Sequence, residues 1–116
     1  MTAIRRLLIL AALLLPLPSL AHAQAPALTY EDRSGTITAG GTAQVVLPAW
    51  TGRHGCVVQN QSAGSLWVSE TATAVAGPPS ILIPAGQQFL CMSPASGQAY
   101  SIIGATTAQA FAARQW

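Results

Sequence analysis

Lysine is absent from this chain of 116 residues, and charge of either sign is scarce: five arginines stand against three carboxylates. Arg5 and Arg6 lie at the start; beyond residue 23, Arg33, Arg53 and Arg114 balance Glu31, Asp32 and Glu70, so this part carries no net charge with His54 neutral. Nucleic-acid binding draws on clustered basic side chains that displace counterions. Three scattered arginines make no such patch, and no nucleic-acid partner is expected. An uncharged surface also offers little repulsion between molecules, so packing on a partner or on a second copy is tolerated.

Catalytic groups are equally sparse. A hydrolase triad needs a base beside its nucleophile, yet His54 is the one histidine beyond residue 23, and no Gly-x-Ser-x-Gly elbow occurs. Glu31 and Asp32 are neighbours in the chain and point apart in an extended segment, which does not suit paired-carboxylate glycoside hydrolysis. His54 and Cys56 share a strand face, and Cys91 would complete a Cys₂His metal set. A disulfide between the same cysteines would remove both thiolates. The expectation is a non-enzyme with no metal and no cofactor.

What the chain does have is an opening that reads as an export signal. Arg5-Arg6 supplies a positive start, residues 7–15 form an unbroken apolar run, and Pro16 and Pro18 end it. Ala21-His22-Ala23 matches the small-x-small pattern of signal-peptidase sites, placing the cut between Ala23 and Gln24. The apolar run is short of the roughly 20 residues of a spanning helix, so no lasting membrane span is expected. A helical signal peptide over 1–23 and export by the general secretory route, to the periplasm or the outside, follow. The twin-arginine route is disfavoured because no cofactor motif calls for folded export. In an oxidising compartment Cys56 and Cys91 pair by default.

The remaining 93 residues suit one domain. Residues 24–34 lack periodicity and are expected as an N-terminal arm. From 35 to 116 short β-branched or apolar runs alternate with turn residues: 36–38, 43–47, 55–59, 65–69, 80–83, 87–92, 99–103 and 109–113. No helical period with caps interrupts them. Turn signals at this spacing indicate an all-β domain, a small antiparallel β-sandwich or partly closed barrel of about 7–8 strands.

Alternation along a strand assigns faces. Leu66 and Val68 are expected in the core, and Trp67 on the opposite, solvent side with Ser65 and Ser69. Phe89 and Cys91 share a face, placing Cys91 beside an aromatic ring. Tyr30, Trp50, Trp67, Tyr100 and Trp116 are candidates for a sugar-stacking platform. Only Trp67 has a pattern that argues for exposure. Arg53 and His54, at the start of the 55–59 run, join it as candidate partner-binding residues.

Three stretches carry a resemblance: residues 53–68 (RHGCVVQNQSAGSLWV), 80–86 (SILIPAG) and 100–114 (YSIIGATTAQAFAAR). In order and spacing they are similar to small β-sandwich accessory proteins encoded among the virion genes of tailed phages and prophages. The likeness spans about residues 34–116, with Arg53, Gly55, Gln59, Asn60 and Ser62 at matching positions. It implies a structural or decorating role and no catalytic residues. The export signal and the cysteine pair depart from that pattern and point to a related fold used outside the cytoplasm. The expected function is therefore an exported, non-catalytic structural or interaction module, packing on a larger assembly or binding a protein or glycan surface. A carbohydrate- or surface-binding module built on Trp67 is one alternative, and a virion-associated decoration protein another.

Overall fold

The computed structural model describes residues 25, 27–91 and 95–116. The expected signal peptide and its junction at Ala23 and Gln24 lie outside the described residues. Among those described, nine short strands and no helix occur: β1 (Glu31–Asp32), β2 (Gly35–Thr36), β3 (Gln44–Leu47), β4 (Cys56–Asn60), β5 (Leu66–Ser69), β6 (Ile81–Ile83), β7 (Gln88–Leu90), β8 (Tyr100–Gly104) and β9 (Ala110–Gln115). They form two antiparallel sheets rather than a closed barrel. One runs β1-β9-β4-β7, with β2 pairing another stretch of β9; the other runs β3-β8-β5-β6.

Strands β4 and β9 each bury every second side chain, as a pleat packed on one face requires. Along β4, Cys56, Val58 and Asn60 turn inward while Val57 and Gln59 are half-exposed. Phe111, Ala113 and Gln115 do the same on β9. From the second sheet Leu66, Val68, Tyr100 and Ile102 meet them in one core, closed at its side by Ile37. Ile37 lies just past β2 and is held by two backbone bonds to the residues just before β9, at 2.9 Å to the Gln109 carbonyl and 2.8 Å from the Ala108 amide.

Two features differ from the sequence expectation. β9 runs to Gln115, two residues further than its apolar alternation, and its outer edge carries backbone groups that need partners. Glu31 and Asp32, expected in an unpaired arm, supply them by pairing with Gln115 and Arg114. The strand count among the described residues is accordingly nine, and the sheet begins within the segment assigned to the arm.

Cys56 and Cys91 form a disulfide across 35 residues, their Cα atoms 5.0 Å apart. Cys91 directly follows β7, whose pairing with β4 brings it opposite Cys56; its amide donates to the Cys56 carbonyl at 3.0 Å. Cys56 is fully buried and Cys91 packs beside the core with Phe89, whose ring lies 6.2 Å from that of Tyr100.

Candidate functional site

Arg53 is not on the surface. It is 5% exposed, and its guanidinium donates to Gln115 Oε1 from Nε and Nη2 at 3.0 and 2.9 Å, and from Nη1 to the Ser96 and Gln98 carbonyls at 2.6 and 2.8 Å. Nη2 also donates to the Pro48 carbonyl. The guanidinium carbon lies 4.8 Å from the centre of the Tyr100 ring. Burial lowers the guanidinium pKa and raises that of the Tyr100 phenol, but these contacts make Arg53 a clamp on three loop carbonyls, with no donor turned to a partner. The sequence pattern placed Arg53 at a strand start and had no means of seeing the carbonyls that surround it.

His54 is exposed, next to Trp50 and Trp116. Neighbours in the chain thus point opposite ways. Cys56 turns into the core and is spent in the disulfide, so His54, Cys56 and Cys91 do not converge as ligands. No cluster of three metal-ligating side chains occurs among the described residues.

Trp67 stands on the outer face of the β3-β8-β5-β6 sheet, as alternation requires, and is half-buried. Its cross-strand neighbours are Ile103 on β8 and Leu82 on β6. Cross-strand partners share a face, so the three side chains form one apolar row across the sheet. Leu82 is 44% exposed at the edge strand, as is its neighbour Ile81. Ser69, expected beside Trp67 in solvent, is instead covered by the following loop, whose Ala72 amide donates to Ser69 Oγ at 3.1 Å.

A second aromatic group gathers at one end of the sandwich. Tyr30, 64% exposed, leans on Trp116 with ring centres 5.8 Å apart. The Trp116 ring lies so close over Gly55 that a Cβ there would come within 2.6 Å of it, which explains a glycine at the start of β4. Tyr30 and Trp50 line a cleft of about 440 Å³ with Thr29, Glu31, Arg33 and Gln115. Glu31 accepts from the Gln115 amide and pairs with Arg33, which together outweigh its desolvation and lower its carboxyl pKa. Since Gln115 in turn accepts from Arg53, a continuous chain of polar contacts runs from the buried clamp to the cleft.

The residues missed in the sequence are polar and inward-facing. Asn60 donates to the Gly64 and Ile83 carbonyls at 2.7 and 2.8 Å and accepts from the Ser62 amide at 2.9 Å, tying β4 to the opposite sheet. Asn60 and Gln115 both fall in phase with buried neighbours two residues before them, and that period was the available signal.

No family model matches the sequence, and neither a curated protein nor a solved structure matches it significantly.

Proposed function

We propose that the chain is an exported, non-catalytic interaction module that meets its partner through the outer face of the β3-β8-β5-β6 sheet. The observation that carries this reading is the apolar row Ile103–Trp67–Leu82, which grades from a buried Ile103 through a half-buried Trp67 to a Leu82 open to solvent. A half-exposed tryptophan flanked by aliphatic side chains is the usual composition of an interface centre. The disulfide is compatible with an oxidising, exported compartment, and the absence of net charge beyond residue 23 favours close association. The non-catalytic reading draws support from Arg53, whose donors are all engaged in contacts that hold loops and strands together.

Size-exclusion chromatography with light scattering, run beside retention on immobilised glycans, tests this reading. A stable oligomer that Trp67→Ala dissociates, or glycan retention that Trp67→Ala abolishes, supports it. A monomer whose behaviour in both assays is indifferent to Trp67→Ala and Leu82→Ser overturns it.

A further inference from the structure

The cleft at the arm end shares no residue with the Trp67 row, and its composition differs. Tyr30 and Trp50 line it as exposed and half-exposed rings. Aromatic side chains bury well, and a largely exposed tyrosine packed on one side against Trp116 offers a ring that is both accessible and held in place. Its volume of about 440 Å³ falls within the range of about 300–1,000 Å³ for small-molecule sites.

The polar lining is preorganised. Glu31 is fixed by Gln115, which Arg53 anchors to the core. Arg33 engages Glu31 through Nη2, and its Nε and Nη1 meet no acceptor among the described residues. The pair therefore presents spare acceptor lone pairs on a carboxylate and spare donors on a guanidinium, with no net charge between them. Such a pair brackets vicinal hydroxyls, while the rings match the apolar C–H face of a pyranose. A formal anion would meet the Glu31 carboxylate and a cation the Arg33 guanidinium, so a neutral ligand fits best. The site also extends: a second cleft of about 190 Å³ shares Thr29 and Trp50 with the first and continues past His54 to Trp116. That continuity suits a ligand of two or more linked rings.

We infer that this cleft, with Tyr30 and Trp50 as stacking rings and Glu31 and Arg33 as the hydroxyl-bracketing pair, is a binding site for a neutral oligosaccharide. Isothermal titration of the secreted chain with cellotetraose, maltotetraose and chitotetraose tests it. At least one of the three binds with a Kd below about 10 mM, and Tyr30→Ala and Arg33→Ala each weaken that binding about tenfold, the loss expected of one stacked ring or one charged donor. Both alter exposed side chains, and unchanged circular dichroism checks that the fold survives. Trp67→Ala leaves this binding intact, which separates it from the interface proposed above. Absence of binding to all three sugars, binding unaffected by both cleft variants, or binding lost only with Trp67→Ala would each overturn the assignment.

Discussion

Arg53 shows how a single residue can read as a surface contact and serve as an internal clamp. Its donors are committed to Gln115 and to three loop carbonyls, so Arg53→Ala leaves several part-buried acceptors unpaired. Urea denaturation of that variant is expected to show a loss of about 2–4 kcal/mol. His54→Ala, which removes an exposed side chain, changes stability by less than about 0.5 kcal/mol. Glu31 provides a pH test. Its folded pKa is held below the ordinary value of 4.5 by the Gln115 hydrogen bond and the Arg33 pair, so its contribution is fully present above that value and is lost as pH falls through the lowered one. Thermal melts between about pH 7 and about pH 3 should therefore fall less steeply for Glu31→Gln than for the parent chain. The remaining slope comes in part from Asp32, whose carboxyl is lowered by Ser34. Ala108 sits at a φ of 68°, a left-handed conformation that strains a side chain. Replacement by glycine is expected to raise stability by up to about 1 kcal/mol in the same denaturation assay.

Among the elements, β4, β5, β8 and β9 were the most legible, because Cys56-Val57-Val58, Leu66-Trp67-Val68, Tyr100-Ser101-Ile102 and Phe111-Ala112-Ala113 alternate and are set apart by turn residues. β1 was not legible. Glu31-Asp32 has no apolar face, and it is a strand because β9 offers it an open edge. A backbone ladder formed for that reason leaves no trace in side-chain pattern. The disulfide acts at this scale too, fastening the end of β7 to β4 across 35 residues. Closing a loop of that length stabilises by about 3–4 kcal/mol in the chain-entropy account. Cys56→Ser with Cys91→Ser, or reduction with dithiothreitol, should lower the denaturation midpoint accordingly without changing which strands pair.

At the scale of the whole molecule, export and pairing make one joint prediction. Mass spectrometry, under non-reducing conditions, of the protein as its own host produces it should find a chain beginning at Gln24 and lighter by two hydrogens than its dithiol form. A chain retaining residues 1–23 would remove the export reading, and two free thiols would remove the staple in that compartment. Residue order alone carries the fold class, the inward positions of the long strands and the pairing expected of the two cysteines, because alternation and redox chemistry are local properties of residue type. It also placed Trp67 on an outer face, since alternation sets the side on which a strand residue stands. Long-range packing is what turns Arg53 inward, joins Glu31 and Asp32 to a sheet, and gathers Tyr30 and Trp50 around Glu31 and Arg33. Those outcomes depend on which backbone carbonyls, edges and rings arrive from segments distant in the chain, and no local period encodes such arrivals.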